Sequence, residues 1–345
     1  TASQASLKLG YVLSQDRYGA SREISSRSNS LPLPDLAVGR LVETPGEVIG
    51  MIDAYLTATT NGVVPTPNSA LITGYDFLED AANAVTAELE AGIGGTAATL
   101  IVPRDLSPQD PAAWTADDLR NLLLTQRYDI SYLAGHFSAS SALAADYTTR
   151  LLASEVASSS VDLTNALIFS AGCHSGYNIV NDHGITGVTN EPDWAQAFAQ
   201  KQATLIAGTG YQYGDTDFIE YSERIYLEFS NQLRQGTGPV SVGQALVAAK
   251  QTYLAETPQL RPIHEKALLE STIFGLPFLK IDLPAGRFTP TGDSSIVAGT
   301  SGFATNPGLT LGLEVADVTI MPSLTTETKE LDVIDAAGTG GTVTA

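Results

Sequence analysis

Short apolar runs alternate with longer amphipathic stretches along most of this chain. The runs Ala70–Thr73, Thr99–Val102, Ile130–Leu133, Ala166–Phe169 and Ala203–Ala207 are too short for helices and too apolar for half-exposed strands. Runs of this kind are expected to form strands buried on both faces. Between them lie stretches with helical spacing, over 78–91, 112–126, near 141–157, from Pro192 onward, and over about 216–235 and 240–255. Phe278–Ile281 is expected to be a closing strand. This alternation predicts a mostly parallel sheet covered by helices on both faces, an α/β fold.

The N-terminal part reads less regularly. Residues 7–13 and 36–42 have strand character, with a polar, Ser-rich loop between them. Thr44-Pro45-Gly46-Glu47 is a strong helix start, because Thr44 and Glu47 make a capping box and Pro45 suits the first turn. Val48, Ile49, Ile52, Tyr55 and Leu56 would supply that helix's apolar stripe. After about Pro284 the composition turns Gly-, Thr- and Ser-rich, with β-like pieces such as 309–320. The expected division is an N-terminal α/β portion over 1–62, a main domain over 63–284, and a short C-terminal β segment or start of an Ig-like domain over 285–345.

Two of the apolar runs end in residues able to do chemistry. One is followed by Gly135-His136, the other by Gly172-Cys173-His174-Ser175-Gly176, which holds the only cysteine. If the two strands are parallel neighbours, His136 and Cys173 emerge together at the carboxyl edge of the sheet, where open α/β sheets place their sites. A free cysteine is often a small buried hydrophobe, and a lone histidine at a strand end is usually structural. The pair is a candidate nucleophile and base. The backbone N–H groups of Phe137 and Cys173 are candidate oxyanion donors. An activated Cys173 is expected to alkylate fast, because the thiolate is the reactive form.

Charge and composition narrow the function. With 38 acidic and 18 basic residues among 345, the formal net charge is −20. Such a field repels phosphate backbones, so nucleic acid is a poor partner. No apolar stretch reaches the roughly 18–20 residues of a membrane helix. Thr1 is not Met, and a removed signal or pro-segment is the expectation. With few lysines and much Ser, Thr, Ala and Gly, this points to a secreted or cell-surface protein. Cys173, His174, Asp182 and His183 match no common zinc spacing, so no metal site is expected. Gly208–Gly214 carries its third glycine one position late for a dinucleotide loop and follows the wrong strand. The serine of 172–176 is misplaced for a nucleophile elbow.

The motifs together resemble the gingipain-type cysteine peptidases, relatives of the caspases. The resemblance rests on Leu36–Leu41, Leu133–His136, Phe169–Gly176, Glu191–Phe198, Leu205–Gly210, Val240–Lys250 and Ile273–Lys280, in that order. It runs from about residue 7 to 283. It implies a caspase-like α/β/α sandwich and an endopeptidase acting on protein or peptide substrates through a thioester on Cys173, with His136 as its partner. It implies no required cofactor, allows Ca2+ as a structural ion, and makes Asp76 a candidate to steady His136. An Arg or Lys preference before the cut bond would need an acid in the specificity pocket, for which Asp80, Asp215 and Asp217 are candidates. The family's closing Gly-Asp-Pro is Gly275-Leu276-Pro277 here, a change that looks structural, and two departures bear on the site. Phe137 stands where Gly is usual, which threatens to crowd the oxyanion site, and Gly172 stands where Ala is usual. A catalytically inactive surface or binding module of the same fold is the competing expectation.

Overall fold

The computed structural model describes residues 12–26, 29–179 and 192–289, together with the backbone of two short strands at 328–331 and 341–344. A short helix, α1 (Asp16–Gly19), precedes an antiparallel hairpin of β1 (Arg22–Ser26) and β2 (Asn29–Leu33). The segment read as a polar loop is therefore a hairpin, seated on the core through Ile24, Leu31 and Leu33. The strand expected over 36–42 shrinks to one parallel bridge between Arg40 and Phe274. Helix α2 (Pro45–Ala58) starts with the expected capping box. It packs inward through Met51 and Ala54, whereas Ile49 and Leu56 are exposed. The Asn165 amide donates to the Ala54 carbonyl at 3.0 Å.

The main sheet is then laid down by alternation. Strand β3 (Ala70–Gly74) leads through a 3-10 turn at Asp76–Leu78 into α3 (Glu79–Ile93), followed by β4 (Ala98–Ile101) and α4 (Ala116–Leu123). A Thr115–Asp118 capping box starts α4, so the helix is shorter than the periodicity over 112–126 suggests. Next comes β5 (Ile130–Leu133). The helix expected near 141–157 is instead a hairpin of β6 (Ser141–Leu143) and β7 (Arg150–Leu152), with α5 (Ala153–Ser158) after it. The turn chemistry of Asp146 overrides the Ala- and Leu-rich pattern. Its carboxylate accepts the Thr148 and Thr149 N–H groups, both at 2.9 Å, and closes the hairpin. Strand β8 (Leu167–Ser170), α6 (Trp194–Gln200), β9 (Thr204–Gly208), α7 (Tyr221–Gln232), β10 (Val240–Ser241) and α8 (Val242–Ala255) follow. A further helix, α9 (Pro262–Glu270), runs directly into β11 (Ser271–Phe274), and β12 (Lys280–Ile281) pairs with β10. Strands β13 (Thr328–Leu331) and β14 (Gly341–Thr344) pair antiparallel. Of the strand expected over 7–13, residues 7–11 lie outside the described residues and Val12 and Leu13 are not in a strand; the piece expected over 309–320 lies outside the described residues.

The six-stranded sheet runs β11–β9–β8–β5–β3–β4, parallel except for β11 at one edge. Alternate residues of each strand face opposite cores. Ile72, Tyr132, Phe169 and Ile206 meet α3, α7 and α8 on one side. Leu71, Leu133, Ile168 and Leu205 meet α2, α4, α5 and α6 on the other. This three-layer α/β/α arrangement explains why the strands read as unbroken apolar runs. From β3 the chain goes first to β4 on one side and then to β5 on the other. The sheet's switch point thus lies between β3 and β5, and their carboxyl ends open a crevice there.

Candidate active site

Strand register brings the two candidate residues to one edge. Leu133 of β5 pairs with Ser170 of β8; His136 stands three residues beyond the first and Cys173 three beyond the second. Thr73 of β3 pairs with Leu133, so Asp76 has the same offset on the other side. His136 and Cys173 line a common cavity of about 80 Å3 with Phe77, Leu78, Gln212, Tyr213 and Glu223.

His136 is held by rings. Tyr75, Phe77 and Tyr147 surround its imidazole with centroids 5.2, 5.1 and 5.3 Å away. Tyr147 comes from the β6–β7 turn, which the helical reading of that segment hid. Gly135 holds φ +149°, and a Cβ there would press on the Tyr75 ring at 2.8 Å, so glycine is required immediately before the histidine. Asp76 accepts a hydrogen bond from the N–H of Phe77 at 2.8 Å and makes none to the imidazole among the described residues. One side of His136 remains open to solvent. Even so, burial by the surrounding rings lowers its pKa, and the charge of Asp76 opposes that only in part.

The thiol of Cys173 is half-buried and donates to the Gln212 carbonyl at 3.5 Å. Burial raises its pKa, and the nearby Glu270 carboxyl adds to the effect, while Gln212 and Lys266 pull the other way. Burial thus favours the uncharged form of both groups that line the cavity, the Cys173 thiol and the His136 imidazole. The expected fast alkylation does not follow from this geometry, and a slow rate with iodoacetamide would not mark an inert site. His174 next to the cysteine has φ +59°, its N–H bonds the Gly210 carbonyl at 2.6 Å, and burial depresses its pKa to about 4. It packs edge-on against Tyr211 rather than facing the cavity.

The two departures from the family pattern compensate one another. The Phe137 ring lies over Gly172, where a Cβ would collide with it, and packs against Trp194 at 5.5 Å between centroids. Trp194 in turn donates to the Ser138 carbonyl at 2.9 Å. Phe137 is not among the cavity-lining residues. Its bridge to Ala142 is made by the N–H of Ser138 and the carbonyl of His136, which leaves the Phe137 N–H without a backbone partner among the described residues. The Cys173 N–H has none either among the described residues.

The three candidate pocket acids lie off the cavity. Asp80 and Asp217 flank Arg104 at 3.6 and 3.8 Å, and Asp215 presents its N–H to Glu223 at 2.9 Å. The acid that does line the cavity is Glu223 of α7, fully buried. It sits on the helix's inward stripe with Tyr226 and Ser230, so a carboxylate at a core-facing position was the available sequence signal. Calcium, which the family resemblance allows, finds no cluster of three or more His, Cys, Asp or Glu side chains suited to it among the described residues. Nor is any described helix long and apolar enough to cross a membrane.

Comparison with known proteins agrees with this geometry at the level of the fold. No family model matches the chain, and no curated protein matches it. Among solved structures it is similar to the complex of the pro- and mature domains of RgpB from Porphyromonas gingivalis, with TM-score 0.58 and 16% identity over 79% of this chain and 62% of that one. It is also similar to the Arg-specific cysteine proteinase gingipain R (RgpB), with TM-score 0.58 and 15% identity over 79% of this chain and 60% of the other. The chain therefore spans about three fifths of those chains and shares with them the mixed α/β, caspase-like fold.

Proposed function

We propose that this chain is a cysteine endopeptidase in which Cys173 is the nucleophile and His136 the proton carrier. The observation that carries the reading is that both side chains line one cavity at the carboxyl edge of a gingipain-like sheet. In the proposed reaction a peptide enters with its scissile carbonyl over Cys173. The thiol proton passes to His136 as sulfur bonds to carbon, and the carbonyl oxygen becomes an oxyanion facing the Phe137 and Cys173 N–H groups. His136 then gives its proton to the leaving amine as the C–N bond breaks, leaving a thioester. A water, deprotonated by His136, attacks the thioester, and the departing sulfur regains the proton. A resting neutral pair suits this sequence, since proton transfer accompanies attack instead of preceding it.

The proposed substrate is a protein or peptide with Arg or Lys before the cut bond, acting outside the cell or at its surface. The Arg-specific activity named for gingipain R, which shares the fold, supports this. So does Glu223, the acid that lines the cavity. The test is cleavage of a fluorogenic peptide library, with calcium present, by wild type and Cys173→Ala. Cleavage that disappears in the variant supports the reading. No cleavage by folded wild type favours the non-catalytic module.

A further inference from the structure

We infer that Glu223, helped by Gln212, is the specificity floor of this cavity and selects a substrate side chain ending in a cationic hydrogen-bond donor. This rests on the peptidase reading of the same cavity, and it moves the selecting acid to a residue outside the three candidates Asp80, Asp215 and Asp217.

Glu223 and Gln212 both line the cavity that holds Cys173 and His136. Glu223 is fully buried and Gln212 nearly so. One oxygen of Glu223, Oε1, accepts the Asp215 N–H at 2.9 Å. The other, Oε2, is buried with no hydrogen-bond partner, and so is Oε1 of Gln212. Buried polar atoms are nearly always paired, because leaving one unpaired is costly. Two unpartnered polar oxygens on residues that line one cavity with a nucleophile therefore suggest what completes it, a group that brings donors together with a charge able to hold Glu223 ionised. Arginine and lysine heads bring several donors and a charge.

Local structure is fitted to the Glu223 carboxyl. A Cβ at Gly214 would collide with Glu223 Oε1 and crowd Leu78 at 2.8 Å, so a larger residue in that loop would push the carboxyl aside. The neighbouring cation, Arg104, is engaged by Asp80 and Asp217.

Several charged and titratable groups face Glu223 from the packed elements. They are Asp80 on α3, Asp215 in the loop before α7, Arg104 after β4 and Tyr132 on β5, with His136 and Cys173 across the cavity. Burial, reinforced by Asp80 and Asp215, raises the Glu223 pKa to about 9. The empty floor is therefore neutral at pH 7. A cation entering it favours the ionised carboxyl, so binding releases about one proton and tightens as pH rises toward 9.

Two experiments separate this inference from the peptidase reading. In the first, butylguanidinium, butylammonium and neutral pentanamide are titrated into Cys173→Ala and into Cys173→Ala/Glu223→Gln by calorimetry, in buffers of different ionisation enthalpy. The Gln replacement keeps an oxygen for the Asp215 N–H. The expected result is cation binding to the single variant with release of about one proton, weakened tenfold or more in the double variant, with pentanamide binding changed less than threefold. Equal cation binding by both, no cation binding, or no proton release overturns the inference. In the second, the peptide library is cleaved by wild type and Glu223→Gln. A rise in KM for Arg and Lys substrates with a smaller change in kcat is expected. Cleavage after apolar residues, unchanged in Glu223→Gln, overturns the inference and leaves the peptidase standing. Absence of all cleavage overturns the peptidase, and the calorimetry still decides on Glu223.

Discussion

Phe137 and Gly172 would each look like damage to a peptidase site if read alone. Together they form one contact, in which the ring occupies the space that an alanine methyl would need. Gly172→Ala should displace the ring and cost about 1–3 kcal/mol, as overpacking usually does. The double variant Phe137→Gly/Gly172→Ala should recover most of that loss, a non-additivity that denaturant melts of all four proteins would reveal. Glu223 offers a second residue-level expectation. Its folded pKa of about 9 lies above that of an exposed glutamate, so the native state keeps a proton that the unfolded chain loses. Stability from this group is complete below about pH 4 and falls as pH rises toward 9. Glu270, raised to about 8 chiefly by burial, acts in the same direction. Melting temperature should therefore drop between pH 5 and 9, and Glu223→Gln should flatten the drop by on the order of 2 kcal/mol. An identical pH dependence in the variant would show that Glu223 is not protonated in the native protein.

At the scale of elements, the β6–β7 hairpin is the part of the site that pattern reading misassigned. Its strands span three residues each and contain alanine and leucine, which suit a helix equally well. What decides is Asp146, whose carboxylate gathers the Thr148 and Thr149 amides and lets Tyr147 take φ +53° against His136. On the proposed peptidase reading, Asp146→Ala should loosen that turn and lower kcat about tenfold with little change in KM, because the imidazole loses one wall while Glu223 and Gln212 are untouched. Thermal stability should fall by only about 1 kcal/mol. By contrast, β5 and β8 were legible because strands buried on both faces need apolar residues at every position. Their final residues then carry Gly135-His136 and Gly172-Cys173 to equal distances past one register. Glu223 carried only a weak signal, a carboxylate at helical spacing from Tyr226 and Ser230 in a stretch, Tyr221-Ser222-Glu223-Arg224, that is otherwise mostly polar. Only the packing of α7 against α3 and the Gly214 loop turns that carboxyl inward.

At the scale of the molecule, a buried cation ties three separate parts together across one edge of the sheet. Lys250 of α8 is buried; its ammonium donates to both oxygens of Asp16 at 2.6 and 2.7 Å and to the Ser271 carbonyl at 2.8 Å. It thereby joins the N-terminal segment, a covering helix and the antiparallel edge strand. Lys250→Met would leave Asp16 buried without its partner, and the expected loss is about 3–5 kcal/mol. Lys250→Met/Asp16→Leu, which removes both charges, should regain much of that in the same chemical melts. The broad architecture of strand, helix and switch point was readable from apolar spacing. This fastening was not, since the two residues lie 234 positions apart in the sequence and neither carries a local signal.

The half-covered, protonated sulfur of Cys173 also bears on durability. Peroxides consume thiolates far faster than thiols, and the chain has no second cysteine with which a sulfenic acid could form an internal disulfide. On the proposed peptidase reading, a nucleophile kept as a thiol until a peptide arrives would be protected from oxidation between turnovers. Exposure of the resting protein to dilute hydrogen peroxide, followed by mass spectrometry of the Cys173 peptide, should show slow oxidation at pH 7 that accelerates as pH rises past the thiol's elevated titration.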